Sequence, residues 1–147
     1  YWCCALPWPS GNGGGSHPLI DTGRTGEFIA AARIELGGWR AVPATADGVD
    51  IIAMRGKTVL RIQVKSTRQP AAGGNYAFST CRRTAKIRRH LMRDDCDAVA
   101  LVVLDRRLCI FCKVEDITKM TTRRHKKLVT SAAEATSFRA VFVEDKK

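Results

Sequence analysis

Three polar residues with chemically different side chains, Asp50, Gln63 and Lys65, stand in two segments that otherwise have the composition of β-strands. Gln63 and Lys65 are two positions apart, so they share one face of a strand. Asp50 lies near the start of the preceding segment, and antiparallel pairing of the two segments would bring it to the same end. A carboxylate, an amide and an ammonium are costly to bury together without purpose. These residues are therefore the first candidates for a functional site.

A β-hairpin is predicted for the segments that carry these residues. Its arms, residues 49–54 and 58–65, are rich in aliphatic and β-branched residues and flank a turn at residues 55–57. Side chains alternate between the two faces of a strand, and the apolar positions of the second arm are Leu60, Ile62 and Val64. These three are expected to face the core, whereas the candidate polar residues face away from it.

The composition favours a partner with many negative charges. The chain has 147 residues, with 25 Lys and Arg against 14 Asp and Glu, which gives a formal net charge of +11. Nucleic acid is the favoured partner, and an acidic membrane surface is a weaker alternative. No apolar run approaches the roughly 18 residues that a membrane span requires, so no membrane-spanning role is expected.

Two basic stretches connect this charge to particular residues. Residues 66–93 contain no acid, whereas a solvated surface usually mixes the two signs of charge. A basic helix is predicted within residues 80–92, and a second basic cluster lies at residues 123–127. The residues expected to contact DNA phosphates are Ser66, Thr67, Arg68, Arg82, Arg83, Lys86, Arg88, Arg89, Arg123, Arg124, Lys126 and Lys127.

A helix is predicted upstream of the hairpin, over residues 25–36, and two glycines follow it as a typical stop. Its apolar face is expected to contain Phe28, Ala32 and residues 34–36. Glu27 would lie in the first turn, where the helix dipole favours a carboxylate. Glu27 is therefore either a capping charge or a catalytic residue, and the sequence leaves both roles open.

The remaining elements are predicted to be mostly strands. Residues 97–104 are almost continuously apolar, as expected of a strand that is buried on both faces. Other strands are expected at residues 39–44, 76–79, 107–114 and 138–143, with a turn or short helix at 115–120. This order of elements indicates an α/β fold with a mixed sheet.

The six cysteines are expected to be reduced thiols of a cytoplasmic protein, associated with the nucleoid in a bacterium. Cys109 and Cys112 form a CxxC motif, but strand alternation would point their sulfurs to opposite faces, and no second pair follows at zinc spacing. Residues 1–20 are rich in Gly, Ser and Pro and are expected to form a poorly ordered arm. Residues 21–147 would form a single domain.

Together with Glu27, the candidate residues form the pattern E…D-x12-Q-x-K, which resembles the motif of the PD-(D/E)xK nuclease superfamily. The segments GEFIAAARIELGGW, VDIIAMRGKTVLRIQVKST and DCDAVALVV are similar to group I intron-encoded homing endonucleases of that superfamily, and more distantly to Holliday-junction resolvases. This resemblance covers residues 23–114. It implies a restriction-endonuclease-like α-β-β-β-α-β core with a mixed central sheet and a Mg²⁺-dependent DNA endonuclease in which Mn²⁺ is a possible substitute.

The resemblance also implies a role for each candidate residue. The carboxylates of Asp50 and Glu27, the side-chain carbonyl of Gln63 and the backbone carbonyl of Val64 would hold the ion, since Mg²⁺ takes oxygen ligands. Lys65 would stabilise charge on the phosphate rather than act as a general base. Gln63 stands where many members of the superfamily have Glu, so one ionised ligand is missing.

Other interpretations remain open on the sequence alone. Asp50 could cap a strand and Lys65 could simply pair with it. Junction resolution, restriction-type cleavage and non-catalytic nucleic-acid binding are the alternative functions. Cutting both strands with one active site per chain requires two sites in register, so a homodimer or homotetramer is expected.

Overall fold

The first element of the computed structural model, which describes residues 21–45 and 48–143, is helix α1 (Thr22–Leu36). The Asp21 carboxylate caps it by accepting a hydrogen bond of 3.0 Å from the backbone N–H of Arg24. Gly37 ends the helix, and Gly38 follows with a φ of 84°, as the predicted glycine stop requires. The expectation of a disordered arm at residues 1–20 lies outside the described residues.

The buried face of α1 differs from the prediction. Gly26, Ala30 and Ile34 are buried at a spacing of four residues, which places them along one side of the helix. Phe28 and Leu36, which were expected on that side, are 63% and 78% exposed. At Gly26 the helix lies so close to Ser66 of β3 that no side chain would fit there, whereas Ile34 fills the core farther along the same side.

Nine strands and a second helix follow α1 in the described residues. They are β1 (Arg40–Pro43), β2 (Ile51–Arg55), β3 (Thr58–Thr67), β4 (Asn75–Ser79), β5 (Cys81–Arg83), β6 (Arg88–His90), β7 (Ala98–Val103), β8 (Leu108–Lys113), β9 (Thr121–His125) and α2 (Ser131–Phe142). Single turns of 3₁₀-helix occur at Val114–Asp116 and Lys126–Leu128.

A mixed five-stranded sheet, in the order β1-β2-β3-β7-β8, forms the centre of the fold. Strands β3 and β7 are parallel, and the other neighbours are antiparallel. Every residue of β7 is buried, as its apolar run predicts, because β7 has apolar layers on both faces. The α/β class with a mixed central sheet is therefore confirmed.

The predicted hairpin is present as β2 and β3, joined by a two-residue turn in which Gly56 has a φ of 59°. Ile62 and Val64 are buried in the core on the same face as the partly buried Leu60. The polar residues of β3 consequently occupy the other face, as the alternation predicts.

The predicted basic helix within residues 80–92 is wrong. This segment forms strands β5 and β6, which pair as a separate two-stranded sheet. The buried carboxylate of Asp95 binds arginines from both strands, and such a tertiary contact outweighs local helix propensity. The helix that the superfamily core would place here is thus replaced by strands, and the second helix of the fold lies after β9.

The strand predicted at residues 138–143 is also wrong, because this segment belongs to α2. The Thr130 hydroxyl caps α2 by accepting a hydrogen bond from Ala133 N–H at 3.1 Å. Phe138 and Phe142 are four residues apart, so they share one helical face, where their rings stack with centroids 4.4 Å apart. The ring of Phe142 also packs edge-on against the ring of Trp39, with the two centroids 5.2 Å apart.

The expectation of free thiols is met by the four cysteines that the structure describes. Cys81, Cys96, Cys109 and Cys112 are free thiols. Cys109 and Cys112 belong to the apolar layers on opposite faces of the sheet, so they form no joint metal site. Neither described helix is long and apolar enough to cross a membrane.

Candidate active site

Asp50 directly precedes β2, and its carboxylate accepts hydrogen bonds from β3 beyond the last backbone pair of the two strands. The backbone N–H of Asp50 donates to the Ile62 carbonyl at 2.9 Å. Its Oδ2 atom accepts hydrogen bonds from the backbone N–H of Val64 at 2.7 Å and from Nε2 of Gln63 at 3.0 Å. These two bonds fix the carboxylate beside β3, so Asp50 does cap the strand pair, which was one of the roles left open.

The Val64 carbonyl faces the same edge of β3. The N–H and C=O of one strand residue point to the same side, and the N–H of Val64 points to Asp50. Strand β2 has no residue paired opposite Val64, since the β2–β3 register ends at Ile51 and Ile62. The Asp50 carboxylate and the Val64 carbonyl therefore face the same edge of β3, which β2 leaves open.

Helix α1 brings Glu27 to this edge. Its neighbour Gly26 packs against β3 so tightly that a Cβ there would lie 1.7 Å from Oγ of Ser66. Burial, followed by the negative charges of Asp50 and Asp21, raises the pKa of Glu27 above its ordinary value. Asp21 is the capping residue and the first turn contains no acid, so the interpretation of Glu27 as the helix cap is wrong.

Lys65 lines a polar cleft of about 500 Å³ together with Gln63, Cys81 and Arg82. It forms no ion pair with any described residue, so a structural pair with Asp50 is not seen. The Ser79 hydroxyl and, to a lesser extent, the charges of Arg83 and Lys65 lower the pKa of Cys81. The ammonium of Lys65 is thus available to a ligand in the cleft.

The oxygen atoms at the open edge suit a hard divalent cation. Asp50 and Glu27 supply carboxylates, and Val64 and Gln63 supply neutral carbonyl oxygens. Nε2 of Gln63 is turned to Asp50, which leaves the Oε1 atom for a ligand. No three side chains of His, Cys, Asp or Glu are grouped for metal binding among residues 21–45 and 48–143. The candidate oxygens therefore include only two carboxylates, and the other two donors are neutral carbonyl oxygens of the kind that Mg²⁺ accepts.

Asp95 is a buried charged residue near the cleft that the sequence analysis missed. Only 6% of its surface is exposed. Its two oxygens accept hydrogen bonds from Arg89 at 2.6 and 3.2 Å, and Oδ2 also accepts from the Met92 N–H at 2.9 Å. Hydrogen bonding by Arg89 is the main reason that its pKa is lowered. The available signal was the pair Asp94-Asp95, which ends the acid-free stretch of residues 66–93.

The expected phosphate-contacting residues fall into separate places. Arg82, Arg83, Lys86, Arg88 and Arg89 belong to β5, β6 and the turn between them. Arg123 and Arg124 lie on β9, and Lys126 and Lys127 follow in the adjoining 3₁₀ turn. Thr67 ends β3, and the exposed Arg68 follows it.

Ser66 departs from its expected role as a phosphate donor. Its Oγ atom is inaccessible to solvent and has no hydrogen-bond partner among the described residues. It lies under α1, against Gly26. Ser66 therefore contributes to helix packing rather than to a surface that DNA reaches.

Residues 20–141 match the family model of the PD-(D/E)XK endonucleases. The fold is similar to that of the bacterial homing endonuclease I-Ssp6803I, with a TM-score of 0.65 and 19% sequence identity over 90% of this chain and all of that chain. A UPF0102 protein of Rhizorhabdus wittichii is 53% identical over 55 residues, which are 35% of this chain. That match spans 46% of the relative, somewhat less than half of its length.

Proposed function

We propose, from the premise that this chain belongs to the PD-(D/E)XK endonuclease family, that it is a Mg²⁺-dependent endonuclease that hydrolyses phosphodiester bonds of DNA. The observation that carries the proposal is the open edge of β3, where the Asp50 carboxylate and the Val64 carbonyl meet beside Gln63. Lys65, on the same strand, contributes an ammonium group that forms no ion pair with the residues that the structure describes. Oxygen ligands next to a free cation are the groups that phosphodiester hydrolysis needs.

Each residue has a separate task in this proposal. Asp50, Glu27, Gln63 and the Val64 carbonyl would hold Mg²⁺ or Mn²⁺, which supplies Lewis acidity for attack on phosphorus when bound. The two hydrogen bonds to Oδ2 keep the Asp50 carboxylate in one orientation. Lys65 places positive charge beside the phosphate, where negative charge develops as the bond to the leaving oxygen breaks.

Gln63 determines how much charge the site supplies. As a neutral ligand it leaves the two carboxylates of Asp50 and Glu27, and burial, followed by the negative charges of Asp50 and Asp21, raises the pKa of Glu27. A bound divalent cation would offset the repulsion between Glu27 and Asp50, so the site would depend on the charge of Glu27 more than a site with three carboxylates does.

The experiment is cleavage of plasmid and branched DNA with Mg²⁺ by the wild-type protein, Lys65→Ala, Asp50→Ala and Lys57→Ala. Removing Lys65 or Asp50 should slow cleavage by on the order of 10³-fold and leave DNA affinity nearly unchanged. Lys57 lies in the exposed turn at the other end of the β2–β3 hairpin, so its variant should cleave normally. Cleavage that survives both site substitutions would contradict these roles.

A non-catalytic nucleic-acid-binding module is the second candidate, and the neutral side chain at Gln63 is the observation that favours it. Calorimetric titration with Mn²⁺ separates the two candidates. Binding that disappears in Asp50→Ala supports the nuclease, whereas a protein that binds DNA but neither Mn²⁺ nor Mg²⁺ supports the module.

The biological role is proposed as homing-endonuclease-like, in line with the fold similarity to I-Ssp6803I. Junction resolution and restriction-type cleavage remain alternatives, and comparing intact duplex with a four-way junction as substrate distinguishes them. We further propose a homodimer or homotetramer, because paired cuts need two sites. The free thiols agree with action in the cytoplasm on chromosomal DNA.

A further inference from the structure

The β5–β6 arm, residues 81–90, places arginines directly opposite one another. In its antiparallel register Arg82 pairs with Arg89, and Arg83 pairs with Arg88. Like charges in direct cross-strand pairs destabilise a sheet unless something offsets them. How each pair is offset therefore indicates what the arm does.

The inner pair is offset within the protein. Asp95 accepts two hydrogen bonds from Arg89 and forms an ion pair with Nε of Arg82 at 3.4 Å. The Nη1 atom of Arg82 lies so close to Gly48 that a Cβ there would be 2.7 Å from it. Gly48 has a φ of 77° and stands two residues before Asp50. The inner pair consequently holds the arm against the loop that carries Asp50.

The outer pair has no such counter-charge. Arg83 and Arg88 are both exposed, and neither forms an ion pair within the described parts of the chain. The exposed Lys86 lies in the turn between them. Thr84 orders this turn, because its Oγ1 accepts a hydrogen bond of 3.0 Å from the Ile87 N–H and its own N–H donates to the Ile87 carbonyl at 2.8 Å. The backbone of the turn between the two outer arginines is therefore ordered before any partner binds.

We infer that the β5–β6 arm grips the backbone of duplex DNA beside the candidate active site, and that its two arginine pairs differ in task. Arg83 and Arg88 bind phosphates, whereas Arg82 and Arg89 are positioning residues that Asp95 holds. The choice of DNA as partner rests on the proposed function. Duplex is the fitting form because a two-stranded ribbon enters the major groove and guanidinium groups pair with phosphate oxygens.

This division refines the sequence expectation, which gave all four arginines the same role. Arg83 also lines the cleft that contains Lys65, so a strand held by the outer pair lies next to the open edge of β3. A preordered arm at this place would fix the scissile phosphate relative to the candidate catalytic residues, at little cost in ordering when DNA binds.

The test measures binding of a fluorescent DNA duplex in EDTA by anisotropy, at several salt concentrations. Replacing the outer pair with Arg83→Gln and Arg88→Gln should make the slope of log affinity against log salt less negative by roughly 1.8, which is two phosphate contacts. At roughly 0.1 M salt this corresponds to a loss on the order of 50-fold if affinity at 1 M is unchanged. A control with Arg55→Gln and Lys57→Gln removes two charges from the exposed β2–β3 turn and should leave the slope unchanged.

The inner pair supplies the opposite expectation. Arg82→Gln with Arg89→Gln should lower the melting temperature and change the slope by less than half as much as the outer variant. Arg82→Gln alone retains both Arg89 bonds to Asp95 and replaces the double variant if that does not fold.

The inference is overturned if the outer variant keeps the wild-type slope. It is also overturned if the inner variant or the control variant makes the slope less negative by as much as the outer variant does. EDTA removes divalent ions, so this experiment measures DNA binding without cleavage. The expected slopes in a protein that never cuts DNA would therefore support the inference about the β5–β6 arm and contradict only the nuclease proposal. Cleavage by the wild-type protein, together with a wild-type salt slope for the outer variant, would support the nuclease proposal and contradict the inference about the arm.

Discussion

Two aspartates near the cleft, Asp50 and Asp95, meet very different partners. Asp50 accepts hydrogen bonds from two neutral donors, a backbone N–H and an amide. After burial, its negative charge is the next largest cause of the raised pKa of Glu27. Asp95 is bound by the guanidinium groups of Arg89 and Arg82. Within the described residues, one carboxylate thus has neutral hydrogen-bond donors and no ion pair, whereas the other is paired with two guanidinium groups.

The difference separates a binding group from a structural one. A charge that is neutralised inside the protein stabilises the fold and has little left to offer a ligand. A carboxylate that is oriented but not neutralised costs the fold some stability and gains when a cation arrives. Asp95 is the more buried of the two carboxylates, which by itself would suggest a functional role. The charges of the partners indicate the opposite, because Asp95 is bound by cations and Asp50 by neutral donors.

The largest effect on stability is expected from Asp95→Asn. It leaves two guanidinium groups facing each other without a carboxylate, and we expect a loss of about 2 kcal/mol in the free energy of unfolding, below the range for fully buried pairs because both arginines are partly exposed. Asp50→Asn should change that free energy by less than about 1 kcal/mol, since Asn still accepts a hydrogen bond and the repulsion with Glu27 is removed. Urea denaturation of both variants measures the contrast.

Asp94→Asn is the matched control for this experiment. Asp94 is exposed and uses its backbone carbonyl, not its side chain, to bind Arg61 at 3.1 Å. Its variant should unfold like the wild-type protein. A larger loss for Asp50→Asn than for Asp95→Asn would remove the distinction between the two carboxylates.

A smaller effect on the free energy of unfolding is expected when Asp95 is protonated at low pH instead of being substituted. The pKa of Asp95 lies below its ordinary value of 3.8 in the folded protein, chiefly because of Arg89, so the folded state binds fewer protons there than the unfolded state. Its contribution is therefore complete above about pH 5 and is lost as the pH falls through 3.8 towards the lowered pKa. The stability difference between the wild-type protein and Asp95→Asn should narrow over that interval, and a constant difference would contradict the charge pairing.

The elements that the sequence could predict are those with a local signal in their own residues. The β2–β3 hairpin and β7 carry their own signals, a period of two around a glycine turn and a continuous apolar run. The pattern of Asp50, Gln63 and Lys65 depends on that local alternation, so their shared end of the hairpin was predictable. Whether these three carry out catalysis stays a prediction.

The β5–β6 arm could not be predicted because its cause lies elsewhere in the chain. Its arginines are good helix formers, and the carboxylate that binds them, Asp95, follows the arm and becomes buried only in the folded protein. In the same way, Phe138 and Phe142 suit a strand locally, but they lie on one face of α2, where both rings contact Phe111 and the ring of Phe142 also contacts Trp39. Tertiary contacts decided both segments.

The smallest effect is expected at Ser66, a neutral polar group that also lacks an internal partner. Ser66→Ala removes a buried hydroxyl whose Oγ forms no hydrogen bond with the described residues, so the free energy of unfolding should stay the same or rise by up to about 1 kcal/mol. DNA affinity should not change, because α1 covers this atom. A loss of stability, measured by urea denaturation, would show that the hydroxyl has a partner in solution. A gain in stability together with slower cleavage would instead place Ser66 with Asp50, as a polar group next to Lys65 that is retained for the reaction at the expense of the fold.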